Sequence, residues 1–333
     1  MDLTGKKILM FAPVGTTVHY GVGIANEIVK RGAIVYKYPE RPKETTFWKI
    51  VIRLFRNTFP GIFRNYIKKI IENHKEEKID YILICRGEAF KPEILSMFRK
   101  VFPEAKIVFF IWDVLASHDV SDNIPACDKA FSFDPEDCAN NKGLTFRPTF
   151  FVDDYKNVKT SEIKNDVVFI GTLHSNRYKT IKCLEEWFKG QGKVFYEYLY
   201  IPSRLIYAME WVKKFPYINI NKVHFTPISL GETVDILGTT KAILDLNFTN
   251  QKSLSTRAFE AMIARKKYIT TNPEIKKYDF YNPNNIAVID KKNPVIESAF
   301  WDTPFEPVDE NIMYRYSVAG LVDDLFGWQS SDL

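Results

Sequence analysis

KAILDLNFTNQKSLSTRAFEAMIARKKYITTN, residues 241–272, is the stretch that settles the fold class of this chain. Its apolar run, Ala242 to Phe248, reads as a buried strand, and a second apolar strand begins at Tyr268. Between them lie a polar loop carrying Asn247, Thr249, Asn250, Ser253, Ser255 and Thr256, and a helix carrying Arg257 and Glu260. In an open α/β sheet, ligands sit beyond the carboxyl ends of the strands, where helix amino termini present N–H groups to anions. A strand, a hydroxyl-rich loop and a helix with Arg and Glu three residues apart therefore suit a nucleotide. The three-residue spacing puts Arg257 and Glu260 on one face, while Phe259, Met262 and Ile263 mark the core face. The same residues also describe an ordinary strand–helix–strand crossover with a surface ion pair, and locally both readings stay open.

Working outward, the pattern repeats. In the first half, strands are expected at Lys7–Pro13, Ala33–Tyr38, Tyr81–Arg86 and Lys106–Val114, with shorter ones near Lys129–Phe133 and Leu144–Pro148. Helices are expected at Tyr20–Arg31 and Pro92–Val101, with two amphipathic helices broken at Pro60-Gly61. This alternation predicts a parallel sheet with right-handed crossovers. Residues 152–165, VDDYKNVKTSEIKN, are polar and aperiodic and read as a linker. A second alternating set begins with a strand at Asp166–Gly171, and Asn311–Trp328 reads as a closing helix. The expected architecture is α/β with two Rossmann-like domains facing each other across a cleft. The first spans 1–151, the linker 152–165, the second 166–310 and the closing helical segment 311–333.

At 333 residues the chain is long for one core, which agrees with two domains. Its 46% apolar and 26% charged content is that of a globular protein. The first apolar run, Ile8 to Val14, is too short for a signal peptide, and nothing approaches the roughly 20 apolar residues of a membrane span. Cys85, Cys127, Cys138 and Cys183 show no C-x-x-C spacing, so neither a metal cluster nor a disulfide framework is expected, and a cytoplasmic setting is. The net charge of +5 is carried by residues 1–150, with 23 Lys/Arg against 18 Asp/Glu; residues 151–333 have 23 of each. From Phe47 to Ile71 there are Lys49, Arg53, Arg56, Arg64, Lys68 and Lys69 and no acid, interleaved with Phe47, Trp48, Phe55, Phe59, Phe63 and Tyr66.

Two segments carry a family resemblance. VVFIGTLHSNRYKTI (167–181), followed by STRAFEAMIARKKYITTN (255–272), resembles the carboxyl half of GT-B glycosyltransferases, most nearly the spore-maturation CgeB-like and family 1/4-type group. HYGVGIANEIVKRGAIVY (19–36), IWDVLASHD (111–119) and AFSFDPEDCANNKG (130–143) resemble that group's amino-terminal half more weakly. The resemblance implies a nucleotide-sugar donor, UDP being the commonest case. It places Glu260 on the ribose hydroxyls, Ser255, Thr256 and Arg257 at the diphosphate, and Gly171 and Thr172 in a close turn beneath it, with Arg177 nearby. Asn247 and Ser253 belong to the same donor loop. Arg and helix dipoles would neutralise the leaving diphosphate, so no metal or other cofactor is expected. Two positions depart from the pattern. Lys252 stands where family 4-type enzymes carry a first glutamate, and Arg265 where glycine is common.

In the first half, Asp113 closes a strand where a general base could stand, and it could equally cap a helix. His118, His19 and Arg86 are further candidates, and Arg86 could instead pair with Glu88. The basic aromatic stretch could lie on an anionic membrane, at about 1 kcal/mol per cation, or simply pack its apolar side on the sheet. Nucleic acid is not an expected partner, since the second half is neutral and no recognition motif appears. The leading expectation is a glycosyltransferase of cell-surface polysaccharide or lipopolysaccharide biosynthesis, acting on a glycan or lipid-linked acceptor, cytoplasmic and peripheral on the inner membrane face. A nucleotide-sugar epimerase of the same architecture and a non-catalytic nucleotide- or glycan-binding protein are the alternatives.

Overall fold

The structure, a computed structural model, describes residues 1–15, 17–42, 60–173, 177–211, 218–247 and 252–327. The chain divides into two compact units, Met1–Phe150 with Arg315–Leu333, and Phe151–Tyr314.

The first unit runs β1 (Lys7–Ala12), α1 (Val18–Lys30), β2 (Ile34–Pro39), α2 (Pro60–His74), β3 (Tyr81–Cys85), α3 (Pro92–Val101), β4 (Lys106–Ile111), β5 (Lys129–Ser132), α4 (Pro135–Asn140) and β6 (Leu144–Phe146). Its six described strands pair in parallel in the order β2-β1-β3-β4-β5-β6. Strands covered on both faces read as unbroken apolar runs, as KILMFA, YILIC and KIVFFI do, and the core gathers on them. Helix α3 has Pro92 in its first turn, Glu93 at its positive end, and Arg99 and Lys100 at its negative end.

The second unit runs β7 (Asn165–Thr172), α5 (Arg177–Gly190), β8 (Phe195–Tyr200), α6 (Arg204–Trp211), β9 (Val223–His224), α7 (Leu230–Gly238), β10 (Thr240–Asp245), α8 (Thr256–Ile263), β11 (Lys267–Thr270), β12 (Ile286–Val288), α9 (Ser298–Asp302) and α10 (Glu310–Arg315). The strand order is β12-β11-β10-β7-β8-β9, again all parallel. Each sheet reverses its strand order beside its first strand. In the first unit that switch point lies between β1 and β3, and in the second between β7 and β10.

Three expectations are corrected. The stretch 152–165 is not a free linker. Asp153–Asn157 forms a 3-10 turn that buries Tyr155 and packs on α7 and α8, and Ser161 and Lys164 donate backbone hydrogen bonds to Gly238 and Thr239. The closing helix is two helices, α10 and α11 (Val318–Phe326), because the Ser317 hydroxyl accepts the Gly320 N–H at 3.1 Å and starts a new helix. Helix α11 belongs to the first unit. There it packs on α1, Arg31 reaches the Ala319 carbonyl at 2.7 Å, and the Tyr81 and Phe326 rings meet at 4.9 Å. The strand expected at Ala242–Phe248 runs from Thr240 to Asp245, because the Asp245 side chain there takes up hydrogen bonds that tie down the following turn. The first of the two amphipathic helices expected around Pro60 lies outside the described residues, and the second is α2.

Candidate functional site

The carboxyl ends of β7 and β10 flank the second switch point, where doubly wound sheets bind ligands. Arg177, the first residue of α5, spans it. Its guanidinium donates to the Thr172 carbonyl at 3.4 Å and to the Leu246 carbonyl, and lies 5.8 Å from the Phe169 ring. A Cβ on Gly171 would stand 3.0 Å from the Phe169 ring, which would have to give way to admit it. Burial pushes the Arg177 guanidinium below its ordinary value, and the facing Asp245 carboxylate works the other way.

Asp245 ends β10. Its Oδ2 accepts from Ser255 Oγ at 2.7 Å and from Tyr268 Oη at 2.8 Å. Burial, and after it the Asp245 carboxylate, holds Tyr268 well above the ordinary phenol value, so it stays a donor. Ser255 is also the N-cap of α8, accepting the Arg257 N–H at 3.2 Å. The loop leading into α8 is fastened from the far side. Thr271 Oγ1 donates to Asn247 Oδ1 at 2.6 Å, and Asn272 Nδ2 donates to the Ser253 carbonyl at 3.0 Å. A cavity of about 70 Å3 remains, lined by Arg177, Asp245, Asn247, Ser253, Ser255 and Asn272 among others.

Of the expected donor residues, Arg177, Asn247, Ser253 and Ser255 thus converge on one cavity. Gly171 and Thr172 end β7 as ladder partners of Leu199 and Tyr200 and form no separate turn. Thr256 opens α8, half-buried. Arg257 and Glu260 are not a surface pair. Glu260 is 0% exposed, Arg257 Nη1 lies 2.8 Å from its Oε2, and the buried Tyr155 hydroxyl is raised by burial and then by the Glu260 charge. Sequence reasoning missed Asp245, Tyr268 and Asn272. An acid ending an apolar run was the readable sign for Asp245, whereas nothing in a polar, aperiodic stretch marked Tyr155 as buried.

The first-unit candidates form a second cluster, also at a switch point. Arg86 and Gly87 follow β3 with left-handed φ of 69° and 70°. The Arg86 guanidinium pairs with Glu40, which is fully buried and whose Oε2 accepts the Gly87 N–H at 3.2 Å. Arg41, 1% exposed, pairs with Glu88 and lies 3.1 Å from Glu40. His118 Nε2 stands 3.1 Å from Glu88 Oε1, and Asp113 Oδ2 is 4.0 Å from Arg86 Nε. Burial acts to raise the Glu88 carboxyl, but the His118 hydrogen bond and the Arg41 charge outweigh it and hold it far below the carboxylate range. Asp113, His118 and Arg86 are therefore brought together, with Arg86 committed chiefly to Glu40. His19 is the second residue of α1, with its ring 4.0 Å from that of Tyr20.

Arg64, Lys68 and Lys69 are exposed on α2, and the last two share a groove with Lys100 and Met97 of α3. Lys49, Arg53 and Arg56 lie outside the described residues. Among the described residues no helix is long and apolar enough to cross a membrane, and no three His, Cys, Asp or Glu side chains converge as a metal-ligand set. The four cysteines are free, with burial pushing Cys127 up to about 12 and Cys138 up to about 11.

No protein-family model and no curated protein matches the sequence. Solved structures do match over nearly the whole chain. The catalytic domain of Arabidopsis thaliana starch synthase IV, bound to ADP and acarbose, matches at TM-score 0.60 and 11% identity, over 99% of this chain and 98% of that one. Anabaena HepE, in complex with UDP and glucose, matches at 0.57 and 12%, over 96% and 95%. The UDP-GlcNAc 2-epimerase of Methanocaldococcus jannaschii matches at 0.54 and 12%, over 97% and 100%. Two parallel sheets in two units, matched end to end by these proteins, give this chain the GT-B fold.

Proposed function

We propose that the protein is a glycosyltransferase that takes a sugar from a nucleotide-sugar donor held at the second switch point. The observation that carries this is the cavity between the ends of β7 and β10, where Arg177, the Ser255-capped start of α8 and a row of hydroxyl and amide groups meet. A guanidinium and a helix amino terminus suit a diphosphate, and the surrounding hydroxyl, amide and carboxylate groups suit a sugar. UDP is the first nucleotide to consider, since HepE was solved with UDP and the 2-epimerase with UDP-GlcNAc and UDP. No metal or other cofactor enters the proposal.

A glycan or lipid-linked glycan is the proposed acceptor, in the building of surface polysaccharide or lipopolysaccharide. The exposed Arg64, Lys68 and Lys69 support an encounter with an anionic membrane face. The likeness to a 2-epimerase keeps isomerisation as the second reading. Release of free nucleotide from the donor favours transfer, whereas a changed sugar still attached to its nucleotide favours epimerisation.

A thermal-shift screen against UDP, GDP, ADP, CMP, dTDP and their common sugar conjugates tests the proposal. A ligand at a hundredfold its Kd adds about 2.7 kcal/mol of stability. Stabilisation by one nucleotide and its conjugates is expected. No shift with any of them overturns both the transferase and the epimerase.

A further inference from the structure

We propose, on the reading of a nucleotide-sugar site given above, that Asp245 is the carboxylate that holds a sugar hydroxyl of the donor, a role that the buried Glu260 does not fill. Glu260 is 0% exposed, paired in charge with Arg257 at 2.8 Å beside the buried Tyr155, and is not among the residues that line the cavity. A ribose hydroxyl at Glu260 would have to enter a buried position beside this charge pair, and disturbing such a pair is unfavourable. Asp245 is placed differently. It lines the cavity at the second switch point, only partly buried.

Its two oxygens have separate duties. Oδ2 is held by Ser255 Oγ at 2.7 Å and Tyr268 Oη at 2.8 Å, which fixes the carboxylate plane. Oδ1 accepts no hydrogen bond among the described residues. A fixed acceptor of this kind asks for a donor from the ligand. A phosphate has none to offer and would be repelled, whereas a hydroxyl donates to the carboxylate and accepts from a cation such as the Arg177 guanidinium on the same cavity wall. At about 70 Å3 the cavity holds one edge of a sugar ring and not a whole nucleotide, so it is the inner end of the site. The carboxylate missing at Lys252 is in this way supplied from the end of β10.

The hydroxyl can belong to the ribose or to the transferred sugar, and calorimetric titration of wild type, Asp245→Asn and Glu260→Gln with UDP, 2′,3′-dideoxy-UDP and UDP-glucose tells them apart. Asparagine keeps an oxygen for Ser255 and Tyr268 and puts an amide N–H2 where Oδ1 was. If the ribose is held, wild type binds dideoxy-UDP roughly tenfold more weakly than UDP, and Asp245→Asn no longer distinguishes them. If the transferred sugar is held, Asp245→Asn binds UDP as wild type does and loses the gain from glucose. Glu260→Gln is expected to lower the melting temperature and to keep whichever discrimination wild type shows. Unchanged affinity of Asp245→Asn for both UDP and UDP-glucose overturns the assignment while leaving the nucleotide site standing, as does loss of discrimination in Glu260→Gln alone. Failure of wild type to bind any nucleotide in the thermal screen overturns the functional reading itself, and this assignment with it.

Discussion

At the switch point of the first unit, between β1 and β3, Glu40, Arg41, Arg86 and Glu88 pair with one another and bury themselves. At that of the second, between β7 and β10, Arg177 and Asp245 face a cavity and share no ion pair. The two sheets have the same parallel, doubly wound logic, and both bring charges to the strand ends where ligands bind. Charge at a switch point is therefore not sufficient for a site. In the first unit each acid has found a base, and little remains to offer a ligand beyond the half-exposed Asp113 and the His118 ring. In the second, the arginine donates to two backbone carbonyls and, among the described residues, one aspartate oxygen accepts no hydrogen bond.

The comparison breaks most readily at Glu88. Glu88→Ala leaves Arg41 and Arg86 sharing the one buried carboxylate of Glu40, a buried cation in excess, and removing one partner of a buried pair costs about 3–5 kcal/mol. Urea denaturation should show a loss of that size. A variant as stable as wild type but unable to turn over donor would make the first cluster a catalytic site and reverse the contrast.

Acid probes the first unit in a second place. The Glu77 carboxyl is pulled down to about 2 by hydrogen bonds from Lys7 at 2.8 Å, Tyr36 at 2.6 Å and His74 at 2.7 Å. A carboxyl depressed in the folded state contributes stability above its ordinary value of 4.5 and loses it as pH falls toward 2. The stability difference between wild type and Glu77→Gln should therefore be full at neutral pH and shrink between pH 4.5 and about 2. A difference independent of pH in that window would contradict the assignment.

The smallest effect sharpens the second unit. Arg265 follows α8 in the left-handed region, φ 53°, with Lys266 N–H on the Ala261 carbonyl at 2.9 Å and Arg265 N–H on that of Met262 at 3.2 Å. This is the glycine position of a Schellman motif. Arg265→Gly should raise stability by roughly 0.5 kcal/mol, as relief of left-handed strain exceeds the added freedom of the unfolded chain. A fall in the melting temperature would show that the arginine side chain itself stabilises the helix end.

How far the sequence could be read follows the same division. The apolar runs of β1, β3, β4 and β10 announce strands covered on both faces, and the helix stops between them give the alternation. The doubly wound fold was legible for that reason. Strands as short as Val223–His224 and Ile286–Val288 carry too few residues to show a period. Within the site, Arg177 entered only through the family resemblance, whereas the loop from Asn247 to Thr256 was readable because hydroxyls and amides clustered beyond a strand. The environment of Glu260 was not, since its burial depends on Tyr155, about a hundred residues earlier in the chain, and three-residue spacing alone suggests a surface pair. The buried pairing of Glu40 with Arg86 joins the ends of two different strands and has no local signature either.

The most direct measurement is a calorimetric titration of wild type and Arg177→Met with the nucleoside diphosphate that stabilises the wild type, UDP being the first to try. The account predicts at least roughly tenfold weaker binding in the variant, because the charge facing the cavity and the clamp on the Thr172 and Leu246 carbonyls are lost together. Equal affinity in a folded Arg177→Met would place the nucleotide away from the second switch point and contradict the account.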